Sequence, residues 1–386
     1  MESLVQFCAE RLADLGERAL RRQLATTDRL DQARALRDGR RVVSFSCNDY
    51  LGLSRHPQVK AAAMRALAEH GAGAGASRLV TGNYGLLGEL EADLAAFKGA
   101  EAACVFGSGY LANIGIVTAL MGAGDAVVLD ELSHSCMFSG ARLSGARVER
   151  FRHNDTADLA AKLDAVRGEA RHVLVMTEGV FSMDGDMAPL PEIVEIAEAA
   201  GAWLLVDDAH ALGVVGDGRG SAHAFGGTPC RVPLQMGTLS KAAGSYGGYL
   251  CGAKPVVDYV VNRARSLVFS TGLPPASAGA AKAALGLMAR DPAFCRIPRE
   301  RARLFTRLMG LPEAESPVVP IVVGEAEPTL AASAALLEQG FLVTAIRPPT
   351  VPEGTSRLRV TFSAAHSEDD VADLAAALKR LPGLAL

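Results

Sequence analysis

Four short apolar runs, separated by helical patterns, constrain this chain more than any other feature. The runs AACVF (102–106), AVVL (126–129), HVLVM (172–176) and AWLLV (202–206) read as strands buried on both faces, the pattern of a parallel sheet. Between them, PLPEIVEIAEAAG puts Leu190, Ile193, Val194 and Ala197 at i, i+3, i+4 and i+7, with Gly201 as a stop, which predicts an amphipathic helix. Such alternation covers one sheet with helices on both faces, so the expected fold class is α/β with a mainly parallel central sheet. Beyond about residue 280 the pattern changes. A helix over 275–290 and a proline-rich stretch lead to strand PVVPIVV (317–323), helix 329–339, strands FLVTAI (341–346) and SRLRVTFS (356–363), and a last helix over 367–380. The expected organisation is an N-terminal helical arm (1–45) without a strand partner, a large α/β domain (46–280) and a small C-terminal α+β domain (281–386).

Composition removes several classes of function. The net charge of −4 and the absence of basic runs longer than pairs such as Arg21-Arg22 and Arg40-Arg41 argue against a nucleic-acid partner. The seven cysteines show no CxxC or metal-finger spacing, so no metal site is expected and a reducing cytoplasm is. No apolar run approaches the roughly 18 residues of a membrane helix, and the N-terminus lacks a signal layout.

In a parallel sheet, ligands bind beyond the carboxyl ends of the strands. After AACVF come Gly107-Ser108-Gly109-Tyr110; after AVVL, Asp130 and then His134; after HVLVM, Thr177-Glu178-Gly179 and on to Ser182; after AWLLV, Asp207-Asp208-Ala209-His210. A glycine-rich helix start suits a phosphate, although the same residues serve an ordinary turn. Asp207 and Asp208 are equally suited to capping helices, and a single histidine is more often structural than catalytic. Lys241, in TLSKAAGSYGG (238–248) after the expected strand PLQMGT, stands apart. A lysine at a strand end among small residues has an unhindered amine, and desolvation makes it nucleophilic.

Two ligands fit these groups. Pyridoxal 5'-phosphate (PLP) requires a lysine, an acid for its pyridine nitrogen, a stacking group, a donor for its phenolic oxygen and a phosphate cradle, all available at the strand ends. A dinucleotide also fits, because GSGYLA (107–112) follows G-x-G-x-x-A with Asp125 and Asp130 beyond it. The second reading implies an oxidoreductase and leaves Lys241 and the DDAH tetrad without a role. Spacing keeps both open.

TLSKAAGSYGG resembles the lysine motif of the α-oxoamine synthase family of fold-type I PLP enzymes. SFSCNDYLGLSRHP (44–57), TEGVFSMDGDMAPL (177–190), VDDAHALGVVGDGRG (206–220) and AIRPPTVPEGTSRLRVTFSAAH (345–366) are similar to segments of that family, in family order. The resemblance spans nearly the whole chain and implies joining of an amino acid to an acyl thioester with loss of carbon dioxide. IRPPTVP with LRRQL (20–24) most resembles members that condense L-alanine with a pimeloyl thioester of coenzyme A or acyl-carrier protein in biotin synthesis. Members using glycine or serine with another acyl-CoA are the alternative.

The resemblance also implies residue roles. Lys241 matches the Schiff-base lysine, Asp207 the acid at the pyridine nitrogen and His134 the stacking histidine. His210 and Ser182 match the groups near the phenolic oxygen, and Ser108, Gly109, Tyr110 and Thr238 match the remaining cofactor contacts. Ser270 and Thr271 match residues that reach the partner subunit's cofactor, which implies a homodimer with shared active sites. Glu178 matches an active-site position for acid/base work or positioning. Arg359 and Asn48 match the amino-acid carboxylate site, whereas Arg21, Arg347 and Thr350 match positions near the acyl substrate. Alternation in 356–363 puts Leu358, Val360 and Phe362 on one face and Arg357, Arg359 and Thr361 on the other. An edge-strand cation in water is the plainer reading, and it suits Arg357. The sequence departs from relatives at Leu87, where many carry histidine, at Arg78, where some synthases do, and at Ala211-Leu212, where Gly-Thr is frequent. These departures bear on thioester selectivity.

Overall fold

The computed structural model describes residues 2–381. It contains two compact units, one formed by Asp49–Ser182 and Asp186–Arg299, the other by the described residues of Met1–Asn48, Met183–Gly185 and Glu300–Leu386. Strands β1 (Thr27–Arg29), β2 (Arg34–Arg37) and β3 (Arg40–Ser44) come first. The large unit holds β4 (Ala102–Phe106), β5 (Ala126–Asp130), β6 (Arg147–Phe151), β7 (Val173–Glu178), β8 (Trp203–Asp207), β9 (Leu234–Thr238) and β10 (Gly248–Gly252). Strands β11 (Val318–Gly324), β12 (Phe341–Leu342), β13 (Thr344–Ile346) and β14 (Ser356–Thr361) complete the set.

The large unit is built on one seven-stranded sheet in the order β4-β10-β9-β8-β7-β5-β6. All neighbours run parallel except β10, which is antiparallel to both β4 and β9. Alternate residues of the parallel strands feed two cores. Val127, Leu129, Leu174, Met176 and Leu205 pack with Ile116, Met137 and Val257 of helices Gly109–Leu120, Ser135–Ser144 and Lys254–Arg263. Ala126, Val128, Val175, Leu204 and Val206 pack with Leu159, Leu163 and Ile193 of helices Thr156–Val166 and Leu190–Ala200. Each fully buried Val or Leu contributes about 1.5–3 kcal/mol, so both faces of the sheet drive folding.

Two strands of the large unit escaped the sequence pattern. β6 reads RVERF because it is a sheet edge, largely open to water, and needs no apolar run. β10 reads GYLCG because its backbone meets other backbone. A Cβ on Gly248 would lie 2.5 Å from the Ser108 carbonyl oxygen, and one on Gly237 of β9 would lie 2.3 Å from the Tyr249 hydroxyl.

In the smaller unit, β1–β3 form a sheet with β12, which runs parallel to β3. The arm therefore has strand partners; sequence pattern missed them because Val43 pairs with Phe341, nearly the length of the chain away. FLVTAI splits between two sheets, since Phe341–Leu342 joins β3 while Thr344–Ile346 pairs with β14. The stretch after Arg290 expected as proline-rich loop is the helix Pro292–Met309, with Pro298 inside it and Ala302, Phe305 and Met309 buried. Phe45, Phe305, Leu358, Val360 and Phe362 lie in this unit's core, and Phe45 stacks on His366 at 4.1 Å. Among the described residues no helix is long and apolar enough to cross a membrane.

Beyond β6, His153 bridges two carboxylates, with Nδ1 3.1 Å from Asp130 Oδ1 and Nε2 2.7 Å from Asp186 Oδ2. Burial alone would lower its pKa, but these partners outweigh burial and raise it from 6.5 to about 10. Because the folded value is raised, the stabilisation is complete below pH 6.5 and is lost as pH rises toward about 10. In urea titrations, His153→Gln should be less stable than the parent below pH 6.5, with the gap closing as pH approaches 10. A gap independent of pH would rule out the charge as its source.

Candidate active site

Register brings the site together. β7 and β8 pair Glu178 with Asp207, and β8 and β9 pair Asp207 with Met236, so their side chains share one sheet edge. A cavity of about 120 Å³ at this edge is lined by Gly109, Tyr110, His134, Glu178, Asp207, His210, Thr238 and Lys241, together with Cys136, Ala209 and Met236. A larger hollow of about 830 Å³ lies among helices Pro57–His70, Gly85–Lys98 and Pro275–Arg290. There Lys282 is already 3.1 Å from Glu89 and 3.5 Å from Asp93. We assign the chemistry to the smaller cavity, where an amine, two imidazoles and two carboxylates converge.

Lys241 Nζ lies 2.8 Å from His210 Nε2, and Tyr50 Oη lies 2.6 Å from His210 Nδ1. Asp207 accepts 2.7 Å from Asn113 Nδ2 and 2.8 Å from the Ala209 amide, one bond to each oxygen. Glu178 accepts 2.5 Å from the His134 amide. Burial, reinforced by the Asp207 charge, raises Glu178 from 4.5 to about 8, against the opposing influence of Lys241 and two backbone donors. Burial also holds His134 below its ordinary value, more strongly than the Asp207 charge raises it.

The glycine-rich turn after β4 begins the helix Gly109–Leu120, which Ser108 caps by accepting from the Leu111 amide at 3.2 Å. The first amides of such a helix lack intrahelical partners and carry the positive end of its dipole. Gly109 is closely packed, since a Cβ there would lie 3.3 Å from both Met236 and Thr238. The Thr238 hydroxyl donates to the Gly247 carbonyl at 2.7 Å and so braces the lysine loop. Ser182 is buried, and its amide is among the donors to Glu178. Ser270 and Thr271 are outside the cavity lining; Thr271 bridges to Ser77.

Other expected site residues lie in the smaller unit. Arg359 is 6% exposed and donates to Asn48 Oδ1 at 3.0 Å. Arg22, rather than Arg21, reaches Thr350 Oγ1 at 3.1 Å, while Arg21 is exposed. Arg347 donates to the Ala19 carbonyl, and burial followed by the Arg22 charge lowers its pKa. The expectation that Arg357 is a water-facing edge cation is corrected. β14 is the middle strand of β11-β14-β13, and Arg357 is 5% exposed, paired with Asp184 and hydrogen-bonded to Thr355 O at 3.0 Å. Of the departures, Leu87, Ala211 and Leu212 are buried, and Arg78 donates to Glu91 Oε2 at 2.9 Å and Asn83 Oδ1 at 2.7 Å. Sequence reasoning missed Tyr50, Asn113 and Cys136. Tyr50 had a signal, its place within SFSCNDYLGLSRHP.

The aminotransferase class I and II family model matches residues 40–378. The chain belongs to that family. It is 60% identical over 385 residues, 100% of both chains, to the 8-amino-7-oxononanoate synthase of Methylobacterium radiotolerans. It is 56% identical over 375 residues, 97% of both, to the protein of that name from Beijerinckia indica subsp. indica. A solved Sphingomonas wittichii serine palmitoyltransferase is similar with a TM-score of 0.89 at 33% identity, over 97% of this chain and 96% of that one. An SPT structure solved with PLP has the same TM-score at 31% identity, over 98% of this chain and 97% of that one. The chain is an enzyme with the fold of the fold-type I transferases, the class expected from its sequence. The dinucleotide alternative loses its acids to structural pairs, since Asp125 binds Arg171 at 3.0 Å and Asp130 binds His153.

Behind the cavity, Asp208 has a role different from its neighbour's. Lys98 Nζ donates to Asp208 Oδ2 at 2.6 Å, while the Ser221 hydroxyl donates to Oδ1 at 2.5 Å. The Lys98 and Asp208 side chains are 0% and 2% exposed. Lys98→Met should destabilise the protein by about 3–5 kcal/mol in denaturant titrations, because it strands a buried carboxylate. At the cavity itself, infrared spectra should show a protonated-carboxyl band that disappears as pH rises through about 8 and is absent from Glu178→Gln. Persistence of that band in the variant would assign the proton elsewhere.

Proposed function

We propose that this protein is a PLP-dependent acyltransferase that condenses L-alanine with a pimeloyl thioester, of coenzyme A or acyl-carrier protein, in the cytoplasm. The products are 8-amino-7-oxononanoate, carbon dioxide and free thiol, a step of biotin synthesis. The convergence of Lys241, His210, Asp207, His134 and Glu178 on one cavity carries this reading. The synthase names of full-length relatives support its substrates.

The donor set fits PLP. Lys241 offers an amine for the aldehyde, Asp207 is a fixed carboxylate for the pyridine nitrogen, and His134 offers an imidazole face. Ser108, Gly109 and Tyr110 begin a helix whose free amides suit the phosphate, with Thr238 bracing the loop beside them. When bound, PLP supplies an electron sink for charge developing at the amino-acid Cα.

The residues divide the remaining work. Lys241 Nζ would hold the cofactor and, as a free amine, would take the Cα proton. His210, oriented by Tyr50, holds the lysine amine, and with Ser182 it would hold the cofactor's phenolic oxygen. Glu178, protonated up to about pH 8, serves as a buried proton donor. Arg359 with Asn48 binds the alanine carboxylate through charge-assisted hydrogen bonds. Arg21, Arg347 and Thr350 serve the acyl substrate, and Ser270 and Thr271 serve the partner subunit's site in a homodimer.

Purified protein supplied with PLP should show a visible absorption band, and borohydride should fix the cofactor to Lys241; Lys241→Ala should lose both the band and turnover. A protein left colourless by added PLP would sink the reading. Product masses from alanine, glycine and serine with a panel of thioesters test the substrates. The likeness to serine palmitoyltransferases favours a second reading, another amino acid with another acyl chain, and product formed only from glycine or serine would establish it. Arg359→Ala should raise the KM for alanine by about 10-fold or more, the equivalent of one hydrogen bond to a charged group.

A further inference from the structure

Asn113 and Cys136 form a short relay between the two groups assigned to the cofactor ring. Asn113 is 0% exposed and Cys136 3%. Asn113 Nδ2 lies 2.7 Å from Asp207 Oδ2 and 3.1 Å from Cys136 Sγ. Cys136 Sγ lies 2.9 Å from His134 Nδ1, which also accepts from the Cys136 amide at 3.2 Å as the cap of the helix Ser135–Ser144.

The proton positions follow from elimination. A backbone amide only donates, so Nδ1 carries no proton. The thiol 2.9 Å away must then give its own hydrogen to Nδ1, because the alternative sets two lone pairs against each other. That leaves sulfur lone pairs to accept from Asn113. The Asn113 amide is fixed in turn, since its oxygen would repel the Asp207 carboxylate at 2.7 Å. Its Oδ1 accordingly remains buried without a hydrogen-bond partner, the penalty of this orientation. Burial and the Asp207 charge both push the thiol upward, which keeps its proton in place.

We infer that Cys136 is a positioning residue whose thiol, backed by Asn113 and Asp207, holds the ring of His134 in one orientation, in the neutral Nε2-protonated form that the Cys136 amide already selects. The effect is to fix the ring orientation and the face offered to the cofactor, and the inference rests on the proposed function for that last consequence alone. A serine at 136 preserves the donor and acceptor; an alanine removes both.

Long-range proton–nitrogen NMR on the full-length, histidine-labelled protein, with and without PLP, tests it. The parent should show a single sharp His134 signature with Nδ1 bare and Nε2 protonated, Cys136→Ser should retain it, and Cys136→Ala, which keeps the amide donor to Nδ1, should keep the tautomer but broaden and shift the ring signals as the ring loses its fixed orientation. A protonated Nδ1 in the parent, or His134 ring signals as sharp and unshifted in Cys136→Ala as in the parent, would overturn the inference. If the alanine variant does not fold, the infrared difference between parent and Cys136→Ser decides. A thiol stretch lowered by donation supports the inference, and an unshifted one rejects it. A parent that shows the Nε2 tautomer yet binds no PLP would reject the proposed cofactor and leave the role of Cys136 standing.

Discussion

The parallel register of β7, β8 and β9 is the constraint on which the site depends. Glu178 opposite Asp207, and Asp207 opposite Met236, put chemical groups from distant parts of the chain at the carboxyl edge of one sheet. The two apolar cores on either face hold that register, because a one-residue slip would exchange the residues buried in each. The site thereby inherits the rigidity of the sheet, and the lysine loop after β9 completes it.

Adjacent acidic residues in this frame have different environments. Asp208 faces the buried Lys98 and the Ser221 hydroxyl, whereas Asp207 faces the cavity and receives Asn113 and Ala209. Glycines permit this crowding: a Cβ on Gly179 would lie 2.3 Å from Asp208 Oδ1, and one on Gly220 would lie 2.1 Å from Asp208 Oδ2. Glu178 lies where the Asp207 charge adds to burial, so a second carboxyl group keeps its proton to about pH 8. Neighbouring strands thus supply a fixed acceptor and a proton donor from the same kind of side chain.

Much of this was legible before any coordinates. Strands buried on both faces announce themselves as continuous apolar runs, so β4, β5, β7 and β8 could be read directly, and their following residues named most of the cavity lining; the expected parallel pairing fails for β4, an edge strand whose neighbour β10 is antiparallel. The edge strand β6 lacks an apolar run, and in β10 the run is only Tyr249-Leu250-Cys251 between glycines, too short to be read as a strand. Arg357 was misread for a related reason. Alternation along β14 reports which face a side chain takes, but only pairing with both β11 and β13 makes that strand central.

The sequence by itself determined the fold class and which residues stand at the strand ends, Lys241 among them, since hydrophobic period and motif order are properties of the chain. Tertiary structure alone decided which histidine nitrogen meets Lys241, that Arg22 rather than Arg21 reaches Thr350, and that Asn113 and Cys136 join His134 to Asp207. Those are questions of angstroms between residues far apart in sequence. Local patterns fix which way a side chain leaves its own element, whereas hydrogen bonding depends on where another element places its partner.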